Sequence, residues 1–344
     1  MLQENRKFFF FIISSKFIYL LVALLVFSRL TSLGDTDAYL EGQFSDRNNV
    51  FSFAYVMSFL GEKLGFFSHI FSLLISCFSI FYLLDRINLS QNDRLLVLFL
   101  CFLPSFGVWT SVFTKESFVL FFACISFGYL IDALKGKRLK PTFLQAIVIA
   151  AFCTYKPQYA LPLMAGILYF FMFKQLKNGY LLVAINVIIL IAILLLIPYT
   201  LTFTGYLVEE MPKHFSLGAK STRENDFWLQ AIDFYSYLPE GVFVSFVGPT
   251  LTESLNNISL LPFFIEGVLL FFIIFYYLIR FIAENREKFN FFIFSVLTII
   301  VFGFFISHYP FGIFNPGSAT RYRSGFVFPL IVLLLALTKK ADRS

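Results

Sequence analysis

An all-α, polytopic integral membrane protein with about ten transmembrane helices is the fold class this sequence predicts, and three observations carry that prediction. Of 344 residues, 58% are hydrophobic, only 14% are charged and 51 are phenylalanine, far from the balance of a soluble domain. The apolar residues gather in runs close to the ~20 residues a helix needs to cross the hydrocarbon core. Lysine and arginine are concentrated in the short segments between alternate runs, as the positive-inside rule requires.

The first run, about Phe8 to Leu30, is too long for a signal peptide and ends at Arg29 without a small-residue cleavage site, so it reads as a retained span. Lys16 lies near enough to one end to snorkel. Spans follow at about Gly65 to Leu84, Leu95 to Phe113 with a kink at Pro104, and Ser117 to Ala133. Two short ones, about Phe143 to Tyr155 and Gln158 to Phe173, are joined by a tight turn at Lys156-Pro157. The seventh, about Tyr180 to Thr204, is the most apolar. The eighth (Leu261 to Phe281), ninth (Phe291 to Ser307) and tenth (Gly325 to Leu337) complete the set.

With the N-terminus inside, the cytoplasmic segments carry Arg6, Lys7, Arg86, Arg94, Lys135, Lys137, Arg138, Lys140, Lys174, Lys177, Arg280, Arg286, Lys288, Lys339, Lys340 and Arg343. Both termini are then cytoplasmic. The opposite, extracytoplasmic face is acidic, with Asp35, Asp37, Glu41, Asp46, Glu62, Glu116, Glu209, Glu210, Glu224, Asp226, Asp233, Glu240 and Glu253. The formal net charge of +6 therefore reports topology and not a nucleic-acid surface.

Residues 1–344 form a single membrane domain in this reading, without repeat or linker. Its one large extramembrane piece is 205–260, whose polar part, Ser216 to Asp226, has the composition of a mobile loop and a possible active-site lid. Trp228, Ile232, Tyr235 and Leu238 recur there at helical spacing, as in a helix lying on the membrane surface. A smaller stretch of the same kind is Val50 to Leu60. All four cysteines, Cys77, Cys101, Cys124 and Cys153, fall inside apolar runs without metal-ligand spacing and read as buried free thiols. Walker loops, nucleotide-binding glycine turns, zinc spacings and nucleophile elbows are absent, which leaves an ATP or nucleotide-sugar site unsupported.

The chemistry-bearing stretch is Gly34-Asp35-Thr36-Asp37-Ala38-Tyr39-Leu40-Glu41, just beyond the first span. A carboxylate at the edge of the hydrocarbon can act as a general base, and two together could share a divalent cation with a phosphate. The plainer reading is a polar exit from a span. Arg321 and Arg323 flank Tyr322 before the last span, on the face where the positive-inside trend expects few cations. Guanidinium is well matched to a lipid phosphate or pyrophosphate, although the pair could instead answer acidic neighbours. Lys115 and Glu116 occupy a short turn and either pair with each other or meet substrate, whereas Lys156 has no acid nearby in sequence. His308 with Tyr309 caps the ninth span, where a lone histidine is more often interfacial than a base. Glu266 lies within the eighth span and requires a partner that the sequence does not name.

The acidic motif after the first span, the many spans, and Arg321-Tyr322-Arg323 followed by Phe326-Val327-Phe328-Pro329 together resemble the GT-C superfamily of membrane glycosyltransferases. The architecture is also similar to Wzy-type polysaccharide polymerases. The resemblance implies transfer of a sugar or oligosaccharide from a polyprenyl-(pyro)phosphate carrier to a saccharide or lipid-linked acceptor hydroxyl outside the cytoplasm. Cell-surface polysaccharide assembly in a bacterial inner membrane is the setting it implies. Asp35 or Asp37 would be the catalytic acid residue after the first span. Arg321 or Arg323 would hold the carrier phosphate, with Lys115, Lys156, His308 and Tyr322 as further substrate contacts. The rival from another class is a transporter that flips lipid-linked saccharides without chemistry. Such proteins carry charge deep in the bundle and repeated halves.

Overall fold

The computed structural model describes residues 2–30, 33–44, 52–137, 139–176, 178–216, 222–284 and 290–338. Asp46, Val50, Arg138, Lys177, Arg286, Lys288, Lys339, Lys340, Arg343 and residues 217–221 of the polar loop lie outside them. Among the described residues the regular structure is entirely helical. Within those residues six helices are long and apolar enough to cross a membrane, or up to eight if each of two bent pairs counts as one span. The chain falls into two compact units, residues 1–157 with 324–336, and residues 158–323 with 337–344.

The first unit begins with α1 (Leu2–Val22), which runs on through a π-helical turn at Ala23–Phe27 and a last turn at Ser28–Leu30. A short α2 (Thr36–Leu40) precedes α3 (Phe53–Leu64) and α4 (Phe67–Leu84). The break expected at Pro104 is a full bend: α5 (Gln91–Cys101) and α6 (Pro104–Ser111) meet at 66°. Proline lacks the N–H that would continue the ladder and is well suited to start a new first turn. Next come α7 (Lys115–Leu134), most of it buried, and α8 (Phe143–Tyr155).

Lys16 does not snorkel. It sits midway along the apolar part of α1, fully buried, with its Nζ donating to the Thr110 hydroxyl and lying 3.8 Å from the centre of the Phe106 ring. A hydroxyl acceptor and a ring face inside the unit stand in for part of the water it would otherwise have to reach, but neither supplies a counter-charge. Arg86 is held similarly, its Nε donating to Asp132 Oδ2 at 3.1 Å over the Tyr82 ring. Of the cysteines, Cys77, Cys101 and Cys124 are buried, but Cys153 is exposed on α8.

The second unit comprises α9 (Pro157–Phe173), α10 (Gly179–Ser216), α11 (Asp233–Ser236), α12 (Leu238–Val247), α13 (Leu251–Asn256), α14 (Leu261–Glu284), α15 (Phe291–Gly312) and α16 (Pro316–Ser324). The last helix, α17 (Val327–Thr338), belongs mostly to the first unit, where Phe328 stacks on Phe106 at 5.1 Å.

Helix α10 does not stop near Thr204. Its 38 residues span about 57 Å, well beyond a ~30 Å hydrocarbon core. Its first half is almost wholly exposed, as a lipid-facing surface would be. The continuation to Ser216 has its own logic, because Val208, Met211 and Phe215 share a face and bury against Trp228 and Phe314. On the other side Lys213 pairs with Glu209 at 2.7 Å and Glu210 at 3.0 Å, so these charges support the helix and do not end it.

The surface helix expected through Trp228, Ile232, Tyr235 and Leu238 is not formed. Trp228 is 1% exposed and donates from Nε1 to Tyr309 Oη at 2.7 Å. Only Asp233–Ser236 forms a helical turn before Pro239 helps open α12.

Candidate functional site

The first unit gathers the acidic motif into a defined constellation. Gly34 takes φ +66°, a left-handed turn that suits glycine, and turns the chain from the first span into α2. Thr36 Oγ1 lies 2.7 Å from Leu33 O and 3.0 Å from Phe113 O, tying α2 to the segment before α7. Tyr39 is fully buried, its ring edge-on to Phe113 at 6.4 Å. Gly61 of α3 lacks the Cβ that would collide with the Tyr39 carbonyl, so the two helices meet closely at that point.

Around this anchor the charged groups converge. Tyr39 Oη donates to Asp35 Oδ2 at 2.9 Å. Lys115 Nζ lies 3.8 Å from the same oxygen and 5.2 Å from the centre of the Tyr39 ring. The Asp35 side chain is 43% exposed and that of Lys115 21%. Lys115 is also the first residue of the 20-residue helix α7, whose N-terminal dipole favours an anion. Glu116, next in the helix, is buried.

Asp37 is exposed and interacts electrostatically with His69 at the start of α4. His69 Nδ1 accepts from the Phe113 N–H at 3.1 Å, so a proton on the neutral ring sits on Nε2. Lys156 is buried at the C-terminus of α8, beside Tyr155, which stacks on Phe53 at 5.1 Å.

The second unit treats its singled-out residues differently. Arg323 is 0% exposed. Its Nη1 donates to Phe246 O and Val247 O, both at 2.6 Å, and its Nη2 lies 3.3 Å from Phe263 O and 3.4 Å from Glu266 Oε1. Glu266 thereby has its partner. Gly267, next to it, leaves room for the Val247 carbonyl and the guanidinium. His308 is also fully buried and not interfacial. Its Nε2 is 3.2 Å from Ser245 O, which can only accept, so Nδ1 receives the Tyr159 hydroxyl at 3.0 Å. Arg321 and Tyr322 are half-buried, with the guanidinium carbon 5.6 Å from the Tyr322 ring.

Tyr39 and His69 were not singled out from the sequence, nor was Arg223 in the second unit. For Tyr39 a signal existed: it stands i+4 from Asp35, the spacing at which helical side chains meet. Arg223 forms a bidentate pair with Glu253, at 2.7 Å on each oxygen, and also donates to Gly248 O and Ile313 O. Burial would raise the Glu253 carboxyl, but hydrogen bonds from Arg223 and the Thr250 N–H outweigh it and hold the group below its usual 4.5. Both residues line a cleft of about 420 Å³ that also presents Phe227, Tyr237, Asp226 and Glu240. Among the described residues no group of three or more His, Cys, Asp or Glu side chains is arranged to hold a metal. A cation at Asp35 and Asp37 would therefore take its remaining ligands from water or a bound phosphate.

Compared with known proteins, the chain matches no family, no curated protein and no solved structure.

Proposed function

We propose that this chain is a membrane glycosyltransferase of the GT-C type that passes a sugar or oligosaccharide from a polyprenyl-(pyro)phosphate carrier to an acceptor hydroxyl on the extracytoplasmic side, in cell-surface polysaccharide assembly. The observation that carries this reading is the convergence of Asp35, Tyr39 and Lys115 at the N-terminus of α7. In the reaction, the Asp35 carboxylate takes the acceptor hydroxyl proton as the new glycosidic bond forms. The bond from the sugar to the carrier phosphate breaks, and its electrons leave with the phosphate. Lys115 and the N–H groups opening α7 stabilise the charge that develops there. The Lys115–Asp35 contact, at 3.8 Å, is at the far limit of an ion pair.

About ten crossings, with both termini cytoplasmic, follow if each bent pair and each of the two short apolar helices, α8 and α9, crosses the bilayer. Of the two arginines proposed for carrier phosphate, Arg323 has its Nη atoms engaged by carbonyls and Glu266.

Transport of a lipid-linked saccharide is the second reading, favoured by the charges buried within spans, Lys16 and Glu266. Gel profiles of surface glycans and lipid-linked saccharides separate the two. Cells lacking the gene, or carrying Arg321→Ala, should lose a polymer ladder or show a uniform small shift in glycan mass. An unchanged profile in the deletion strain would remove the transferase reading, while untransferred lipid-linked saccharide accumulating on the cytoplasmic leaflet would support transport.

A further inference from the structure

Beyond the Asp35 region, the first unit contains a polar column between α4 and α6 that the proposed reaction does not use. On α4, His69, Ser72 and Ser76 follow one another at i, i+3 and i+7, which places them on one helix face. Contacts fix where that face points: His69 Nδ1 receives the Phe113 N–H, and the Ser76 hydroxyl donates to Thr110 O. Ser72 thus lies between two residues that meet the 110–113 segment, at the level of Ser111. Both Ser72 and Ser111 are 0% exposed, and neither hydroxyl has a hydrogen-bond partner.

With Ser68, which precedes His69 on α4, these are buried serine hydroxyls that have no hydrogen-bond partner, whereas other buried serines are satisfied. Ser79, Ser126 and Ser295 each donate to the carbonyl four residues earlier in their own helix, the ordinary way a helical serine satisfies itself. Ser72 and Ser111 do not use that acceptor, nor do they bond each other. Buried, unsatisfied donors of this kind imply a small polar occupant.

A cation meets the neighbouring residue of α6. Lys16 Nζ donates to Thr110 Oγ1, on the residue that precedes Ser111 and accepts from Ser76. Lys16 is 0% exposed, and among the described residues no carboxylate pairs with it. A buried ammonium without a counter-charge is strongly unfavourable. An anion at this rung would supply that charge and give the two serine hydroxyls an acceptor.

We propose that Lys16, Ser72 and Ser111 form an intramembrane site for a small monovalent inorganic anion of chloride size. Its chemistry is one ammonium and two hydroxyl donors in an otherwise apolar setting, with Leu73, Cys77 and Val112 among the surrounding buried residues. Three donors and no carboxylate favour an anion over a metal cation.

The test uses the purified full chain in detergent, titrated with sodium chloride against sodium gluconate at constant ionic strength. Thermal unfolding should shift upward by several degrees with a saturable dependence on chloride. Lys16→Met should abolish that dependence, and Ser72→Ala with Ser111→Ala should move its midpoint to at least tenfold higher chloride. Bromide should reproduce the effect and quench the fluorescence of Trp109, next to Thr110, along a saturating curve. A wild-type midpoint that ignores chloride, with bromide quenching only linearly, would overturn the site and leave water as the occupant. An undiminished chloride effect in Lys16→Met would equally overturn it. If that variant does not fold, the wild-type titration and the serine pair decide.

Discussion

Two clusters in this protein contain the residue types that sequence reasoning prizes, carboxylates in one and arginines in the other, and their environments are opposite. Around Asp35 the groups are part-exposed: its carboxylate is 43% exposed, with the Tyr39 hydroxyl at 2.9 Å and the Lys115 ammonium, itself 21% exposed, at 3.8 Å. Around Arg323 everything is closed. Its guanidinium is 0% exposed, and backbone carbonyls and Glu266 engage both Nη atoms. The first arrangement leaves a carboxylate able to accept a proton from a ligand. The second spends its Nη donors on holding α12, α14 and α16 together, while Arg323 Nε is buried without a hydrogen-bond partner. Charge near a membrane helix end does not distinguish chemistry from architecture; the accessibility of its donors and acceptors does.

Mutation of the closed cluster gives the largest expected stability change. Arg323→Met should destabilise the fold by about 3–5 kcal/mol, because Glu266 is left charged and buried. Adding Glu266→Leu should recover most of that loss, as thermal unfolding of the single and double variants would show. A mild Arg323→Met would mean that the pair is not the pin described here. Next in size is Arg223→Ala, which removes the bidentate pair with Glu253 and two carbonyl contacts. The expected loss of stability is about 1.5–3 kcal/mol, read by the same melts.

At the open cluster the expectation reverses. Tyr39→Phe keeps the buried ring but removes the hydroxyl from Asp35, so it should lower transfer about tenfold, equivalent to ~1.4 kcal/mol, with a small change in melting temperature. A large stability loss with unchanged transfer would place Tyr39 in the architecture instead. The smallest effect concerns pH. Glu253 is held below its usual 4.5, so its contribution to stability is fully present above 4.5 and fades as pH falls through the lower folded value. Arg223→Ala should therefore flatten the acid side of the stability profile, and melts between pH 3 and 6 (about the range around that usual value) would reveal it.

Much of this was legible in local sequence. Apolar runs located the long helices, and Pro104 and Lys156-Pro157 marked breaks between helices, because each depends on neighbouring residues alone. What could not be read were pairings across long separations. Lys16 finds Thr110 94 residues away, and no window of sequence distinguishes that from snorkelling. Glu266 meets Arg323 only because α14 and α16 pack, with Gly267 giving the room. The misplaced end of α10 has a nearer cause. Glu209, Glu210 and Lys213 look like loop chemistry, but at helical spacing they pair along one side while Val208, Met211 and Phe215 bury on the other. Within the acidic motif, the sequence left Asp35 and Asp37 equal. They differ in that Asp35 accepts from Tyr39 and lies beside Lys115, whereas Asp37 interacts with His69.

The most direct measurement is transfer of radiolabelled sugar from a polyprenyl-linked donor to acceptor in proteoliposomes, comparing wild type, Asp35→Asn and Asp37→Asn at matched protein and unchanged melting temperature. The account predicts a loss of about 10²–10⁴-fold for Asp35→Asn and a much smaller one for Asp37→Asn. Equal transfer by wild type and Asp35→Asn would contradict it.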